Sequence, residues 1–227
     1  MSAVLDSLPD VFKAFGYTVL LFVCSGLLSL IGGTLLVAMR VGPIAVLSRA
    51  ATTYITLVRN TPLLMVFFFF QFAAPRIGIN FNWVEVHIGT FDFTSFFATA
   101  VVALTLYTST FVAEALRSGV NAVSLGQAEA ARAIGLPFTG VMREVVLPQA
   151  IRASVPPVAS TLIALLKNTS VAAVFGVIEA AAQMKLMTNN HADQRWGIFF
   201  AIALMYVILV EIVSLAAILL ERRWRIA

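Results

Sequence analysis

The sequence predicts an all-α membrane protein whose single domain, residues 1–227, contains five transmembrane helices. Apolar residues make up 60% of the chain and charged residues only 11%, and the mean hydropathy is +0.96. These values lie well outside the range of soluble globular domains. Five apolar stretches are each long enough to cross a hydrocarbon core, which takes roughly 20 helical residues. The predicted spans are residues 15–39, 54–74, 93–116, 158–182 and 197–220.

The first span is interpreted as a membrane helix and not as a signal peptide. Asp6 and Asp10 precede it, its apolar run is longer than a signal core, and no small-x-small cleavage site closes it. Ser7 and Asp10 have the spacing of a capping box, which predicts that a short amphipathic helix starts before the span.

The basic residues predict how the spans are oriented. With the N-terminus outside, the cytoplasmic segments hold nine arginines and the external segments hold four basic residues. The cytoplasmic set is Arg40, Arg49, Arg117, Arg132, Arg143, Arg152, Arg222, Arg223 and Arg225, and the external set is Lys13, Arg76, Lys185 and Arg195. The positive-inside rule therefore predicts an external N-terminus, a cytoplasmic C-terminus and a cytoplasmic loop at residues 117–155. We attribute the net charge of +4 to this bias and expect no nucleic-acid partner.

A polar, helix-forming segment in that loop separates the third and fourth spans. Ser124 is predicted to be an N-cap, and Gln127 has the spacing to complete a capping box. Gly135 suits the C′ position, and Pro137 prevents the helix from continuing. The pattern predicts a helix of about ten residues with small side chains on one face, suited to insertion in a groove. Taken alone, the helix is more simply interpreted as an amphipathic surface helix that connects two spans.

The spacing around this helix resembles a known signature. Glu129-Ala130-Ala131, then Gly135, then Val145-Val146-Leu147-Pro148 resembles the signature loop of ATP-binding-cassette importer permeases, with Val145 where Ile is usual. Further segments resemble the polar amino-acid branch of these permeases, in the same order. They are Arg59-Asn60-Thr61-Pro62-Leu63, with Asn60 in place of the usual Gly, Tyr107–Gly119, Leu147–Arg152 and Leu165–Ser170.

This resemblance implies a type I importer permease fold and a pore-forming subunit in a bacterial cytoplasmic membrane. The polar helix would dock in a cleft of a separate ATPase, which binds ATP and Mg. The implied contact residues are Glu129, Ala130, Ala131, Gly135 and Leu136. The other implied partners are a second ATPase copy, a second permease chain (a heterodimer being favoured over a homodimer), an extracytoplasmic substrate-binding protein and the lipid bilayer. The chain itself is expected to hold no catalytic residue, cofactor or metal.

Lys167 is the most informative charge within the predicted spans. An ammonium near mid-membrane costs about 2.5–3.5 kcal/mol, so it should face a protein interior or an aqueous cavity. With Asn168, Thr169 and Ser170 it is predicted to line a substrate pathway. Relatives often have Asp where Asn168 stands, so an uncompensated Lys167 favours an anionic cargo, glutamate or aspartate. The alternative interpretation is a structural ion pair between Lys167 and Glu114 or Glu179.

Other charged residues are predicted to have structural roles. Glu114 and Arg117 are three residues apart on a helix and should pair, and Arg59 is assigned to the same structural group. Glu211, in the last span, should face inward. A second function class uses Lys167, Glu114 and Glu211 as an ion or proton path in a carrier or channel that works alone.

Several enzyme classes lack their motifs in this sequence. No Gly-x4-Gly-Lys-Ser/Thr loop, Gly-x-Ser-x-Gly elbow or His-Glu-x-x-His motif occurs. The two histidines, His87 and His191, fall in predicted external loops, which argues against a transmembrane bis-histidine haem.

Overall fold

The computed structural model describes residues 2–224, so that Arg225 of the predicted cytoplasmic set lies outside the described residues. The predicted all-α membrane class is confirmed. The α-helices are α1 Ser2–Asp6, α2 Leu8–Val41, α3 Ala45–Arg59, α4 Leu63–Phe68, α5 Ser95–Asn121, α6 Leu125–Ala133, α7 Phe138–Gly140, α8 Leu147–Asn168, α9 Ala180–Asn190 and α10 Arg195–Trp224. Strands β1 Val86–Ile88 and β2 Phe91–Phe93 form a short antiparallel hairpin.

Among residues 2–224, four segments are long and apolar enough to cross a membrane as continuous helices. They are Leu8–Val41, Ser95–Asn121, Phe138–Phe175 and Ala192–Arg222. Helices α2 and α5 run in the same direction, since Gly16 lies against Phe91 and Gly33 against Val112. Helix α8 runs the opposite way, with its first turns against Gly119. We call the end of the bundle where α2 and α5 finish and α8 starts the α6 end.

The second predicted span, residues 54–74, is wrong as a single straight helix. Segments Ala45–Arg59 and Leu63–Ile77 meet at a bend of 105°, and only together do they pass as a span. Pro62 cannot donate a backbone hydrogen bond, and it disfavours helical geometry at the residue before it. The chain therefore breaks between Asn60 and Pro62, and α4 starts in a new direction.

The fourth predicted span, residues 158–182, is wrong at both ends. The continuous helical segment starts at Phe138 and finishes at Phe175, after a π-helical turn at Val141–Val146 and a 3₁₀ stretch at Thr169–Phe175. Pro156 and Pro157, which precede the predicted span, lie inside α8. Gly176, with φ +88°, ends the segment. The predicted loop 117–155 accordingly contains the end of α5, all of α6 and α7, and the first turns of α8.

The two predicted capping boxes do not form. Ser7 precedes α2 and Ser124 precedes α6, but neither side chain accepts a hydrogen bond from the helix it precedes. Helix α1, which ends just before Ser7, leaves the chain already helical on both sides of it. At α6 the helix is instead fixed from its C-terminal end, as described below.

The main apolar core lies away from the α6 end. Aromatic rings from α4 and from the 3₁₀ stretch after α8 meet there, with Phe67 and Phe175 stacked at 5.0 Å between ring centroids. Leu21 of α2 and Leu104 of α5 are fully buried beside them. This packing positions the last turn of α8, where Lys167 lies.

At the α6 end the bundle depends on a close approach of two backbones at Gly119. A Cβ built on Gly119 would lie 2.7 Å from the Ser154 Cβ and would also overlap the Ala150 carbonyl oxygen.

We expect Gly119→Ala to destabilise the protein by about 1–3 kcal/mol, because α5 and α8 must move apart. The matched control is Gly126→Ala on α6, where an added Cβ meets nothing within 4 Å. Thermal unfolding in detergent tests this: a Gly119→Ala protein that melts at or above wild type contradicts the packing.

Candidate functional site

Helix α6 ends in a paired hydrogen-bond motif that requires glycine. The Gly135 N–H donates to the Arg132 carbonyl at 2.9 Å, and the Leu136 N–H donates to the Ala131 carbonyl at 3.2 Å. Gly135 adopts φ +90°, a conformation that other L-residues adopt only with strain. These bonds form a Schellman motif, which satisfies carbonyls that the helix leaves unpaired. The sharp end of the predicted docking helix is therefore built into the backbone.

Only part of the predicted contact set faces outward. Glu129, Ala130 and Gly135 are exposed, whereas Ala131 is 6% exposed and Leu136 is half-buried. Ala131 and Leu136 pack on an apolar cluster around Val141 and Val146 of the following segment. These two residues hold α6 on the bundle, and of the predicted contact set it is Glu129, Ala130 and Gly135 that are exposed to a partner.

Three large apolar side chains at the α6 end were missed by the sequence analysis. Leu125 is 80% exposed, Ile134 is 81% exposed and Phe138 is 66% exposed. They flank the small-residue face of α6 at its start and just beyond its end. Exposed apolar groups clustered on a polar segment are typical of an interaction surface. Their signal in the sequence was large apolar residues bordering an alanine-rich polar helix.

Lys167 lies in the last turn of α8 and is exposed. Ser170 shares with it a cavity of 340 Å³, whose other polar lining residue is Tyr206 of α10. The Ser170 hydroxyl donates to the Lys167 carbonyl at 2.7 Å. Thr169 is fully buried and donates to the Leu166 carbonyl. Lys167 and Ser170 are thus placed together, while Thr169 points into the core and Asn168 is half-buried.

Neither acid considered as a partner forms an ion pair with Lys167 among the described residues. Glu179 is fully buried and caps α9, where it accepts from the Ala182 N–H at 3.0 Å and from the Tyr206 hydroxyl at 2.8 Å. Glu114 is paired with arginines. The ion-pair interpretation of Lys167 is therefore not supported, and Lys167 lines the cavity without a carboxylate partner among the described residues.

Glu114 lies in a cluster with three arginines at the α6 end. Arg59 Nη1 lies 3.5 Å from Glu114 Oε1, and Arg117 Nη1 lies 3.9 Å from Glu114 Oε2. Arg40, the last basic residue of α2, also donates to Oε1. The pairing of Arg40 with Glu114 was not predicted, because the two residues are 74 positions apart along the chain.

Glu211 departs from its predicted position. It is exposed on α10 and does not face inward. The reason is that α10 packs against the bundle along a narrow stripe, and only 11% of its most apolar window is buried. Most of α10, including Glu211, faces away from the described residues of the chain.

A second cavity, of 520 Å³, opens at the end of the bundle opposite α6. Asp10 and Lys13 of α2 and Asp92 of β2 contribute its charged lining. Lys13 Nζ lies 3.9 Å from Asp92 Oδ2, and His87 Nδ1 lies 2.6 Å from Asp92 Oδ1. The hydrogen bond from His87 lowers the pKa of the Asp92 carboxyl below its usual value. The hairpin is thus tied to α2 at an exposed, mixed-charge surface.

Comparisons with known proteins agree with this architecture. The sequence profile of the family described as "Binding-protein-dependent transport system inner membrane component" matches residues 30–226. The "Glutamate transport system permease protein GluC" of Corynebacterium efficiens is 44% identical over 201 residues, which cover 88% of each chain. The "Probable glutamine ABC transporter permease protein GlnP" of Bacillus subtilis is 37% identical and covers 92% of this chain and 91% of its own. A "Crystal structure of an amino acid ABC transporter with histidines" superposes with a TM-score of 0.84 at 26% identity, covering 97% and 96% of the two chains.

Proposed function

Since this chain belongs to the family of binding-protein-dependent transport system inner membrane components, we propose that it is the permease subunit through which an ATP-driven importer translocates an acidic amino acid, glutamate or aspartate. It is a multi-pass inner-membrane protein. The names of its relatives include both glutamate and glutamine. We therefore choose between the acidic glutamate and its amide glutamine by the charge of the candidate pathway.

The observation that carries the proposal is Lys167, the one charged residue lining a cavity that is otherwise mostly apolar, with Ser170 and Tyr206 as its other polar lining residues among the described residues. Lys167 is exposed and has no carboxylate in ion-pair distance among residues 2–224. In a low-dielectric passage such a charge favours an anion, since it has no internal compensation. Ser170 and the half-buried Asn168 supply polar groups on the same turn. A dicarboxylic amino acid with a net charge of −1 complements this arrangement, whereas a cationic amino acid would be repelled.

Helix α6 is proposed as the contact with a separate ATPase subunit, which supplies ATP and Mg. The capped end at Gly135 and the exposed Glu129 and Ala130 give a compact plug. With this plug in the ATPase cleft, the exposed apolar side chains of Leu125, Ile134 and Phe138 would pack against the ATPase around it. The distribution of arginines favours a cytoplasmic location for this end and an external N-terminus.

A second permease chain is proposed to complete the pathway. The outward surface of α10 is apolar over most of its length, and the exposed Glu211 within it suits a protein-covered surface better than lipid. Five crossings also enclose too little space for a gated amino-acid passage. We favour a related chain over an identical one, with two ATPase copies below the pair. An extracytoplasmic binding protein would deliver the cargo at the end that carries the β1–β2 hairpin.

Uptake into proteoliposomes tests the function class. The complex should accumulate labelled glutamate when ATP is enclosed with the ATPase subunits and loaded binding protein is added outside. Without ATP, we expect no accumulation even when a proton or sodium gradient is imposed. Gradient-driven uptake by the chain alone would instead identify a stand-alone carrier.

A further inference from the structure

We give the name arginine cluster to Arg40, Arg59, Arg117 and Glu114. Its three guanidinium groups carry more positive charge than its one carboxylate neutralises. Glu114 is the one carboxylate among the described residues within ion-pair distance of these arginines. A single carboxylate offers about four acceptor sites, while each guanidinium carries several N–H donors. Glu114 therefore neutralises only one of the three positive charges, and most of the guanidinium N–H donors have no ion-pair acceptor among the described residues.

Two of the three guanidinium groups are open to a ligand. The side chains of Arg59 and Arg117 are each 40% exposed, against 17% for Arg40. Arg59 lies over the ring of Phe111, with its Cζ 5.2 Å from the ring centroid. This cation–π contact restrains the guanidinium group of Arg59. Such pre-organised donors suit a planar or tetrahedral oxyanion.

The position of the arginine cluster indicates which oxyanion it would meet. Arg40 lies one residue before the end of α2, and Arg117 lies in the last turns of α5. The cluster is therefore at the end of two membrane-crossing helices, the level at which lipid headgroups lie. Leu57 of α3 is 64% exposed and Val41 is 56% exposed nearby in the chain. Exposed apolar side chains next to exposed arginines suit a molecule with both acyl chains and an anionic head.

We propose that the arginine cluster is a binding site for the phosphate group of an anionic phospholipid. The chemistry of the cluster disfavours the proposed cargo as its ligand. An amino acid brings an ammonium that needs an acceptor, and the Glu114 carboxylate is already engaged by three arginines. A phosphodiester needs only donors. This site lies apart from the cavity at Lys167 and does not depend on the identity of the cargo.

Arginine footprinting of the wild-type chain tests the proposal without any variant. The chain, with its co-purifying subunits, is placed in nanodiscs of phosphatidylcholine alone or with added phosphatidylglycerol, and phenylglyoxal modification is mapped by mass spectrometry. Arg49, exposed on α3 and outside the cluster, is the internal reference. Phosphatidylglycerol should slow the modification of Arg59 and Arg117 about fivefold relative to Arg49, the factor given by about 1 kcal/mol per basic residue.

Free anions provide the comparison that distinguishes the source of the phosphate. In phosphatidylcholine discs, inorganic phosphate or glutamate should leave the modification rates of Arg59 and Arg117 unchanged. Protection by either free anion, or equal rates in both kinds of disc, would overturn the lipid assignment. In a second measurement, Arg59→Gln should retain several-fold less co-purified phosphatidylglycerol than the matched Arg49→Gln. Equal retention by the two variants would also count against the site.

Discussion

Replacing Lys167 by methionine should reduce glutamate uptake, expressed as kcat/KM for the delivered cargo, by about 30-fold or more. The reason is that a carboxylate passing the cavity would lose its cationic partner, and losing one member of a desolvated charge pair costs about 2 kcal/mol or more. Methionine keeps most of the length of the side chain, so packing at the exposed end of α8 should survive. Uptake by the reconstituted complex measures the effect, with co-purification of all subunits as the check on assembly.

Lys185→Met is the matched control for this variant. Lys185 is also an exposed lysine, on α9, but it does not line the cavity that contains Lys167. It should leave uptake close to wild type. A further variant, Asn168→Asp, places a negative charge beside Lys167 and should weaken uptake of an acidic cargo in the same direction. Normal uptake by Lys167→Met would refute a role for this ammonium in cargo passage.

Replacing Gly135 by leucine should uncouple transport from ATP hydrolysis while leaving the permease in the membrane. A side chain at φ +90° costs about 1–2 kcal/mol, and the strain falls on the motif that ends α6. Because Ala131 and Leu136 anchor the helix through the same turn, we expect its outward residues to be displaced. Uptake should fall about tenfold or more, since each 1.4 kcal/mol changes an equilibrium tenfold. Uptake and co-purification of the ATPase are the two measurements.

Gly78→Leu controls for backbone strain alone. Gly78 has φ +84°, and no heavy atom lies within 4 Å of a Cβ built on it, so the intrinsic penalty is the same as at Gly135. It follows the 3₁₀ turn after α4, beyond the proposed ATPase contact. Its uptake should stay near wild type at equal expression. If both variants lose activity equally, general destabilisation explains the result, and the docking role of α6 is not supported.

The parts of the fold that could be predicted were those that depend on local composition. Apolar length fixes where helices can cross, and the end of α6 was predictable because Gly135 and Pro137 have strong, local conformational preferences. The start of α8 could not be found from hydropathy, because the helix begins at Leu147 and continues through Pro156 and Pro157 before the predicted span starts. The direction that α4 takes after the 105° bend at Asn60–Pro62 depends on its packing partners. Hydropathy holds no information about those partners.

The candidate sites show the same limit. Lys167 could be identified as a candidate from the sequence, because the cost of a charge in a membrane depends only on how deep in the bilayer the residue lies. The inward orientation of Ala131 could not be found, since exposed and anchored faces of α6 have similar alanine-rich composition. The link from Arg40 to Glu114 joins two helices across 74 residues and exists only in the packed bundle. Glu211 was misplaced because the cost of a charge in a membrane does not reveal how little of α10 packs against the rest of the described chain.

The most direct test of the central claim is the ATPase activity of the reconstituted complex with its binding protein loaded by glutamate, glutamine or arginine in turn. Hydrolysis reports productive engagement of cargo, permease and ATPase in one measurement. If the Lys167 ammonium selects the cargo, the glutamate-loaded protein should stimulate hydrolysis most, the neutral glutamine-loaded protein less, and the arginine-loaded protein least. Stimulation by the arginine-loaded protein without stimulation by the glutamate-loaded protein would contradict the assignment of an acidic cargo.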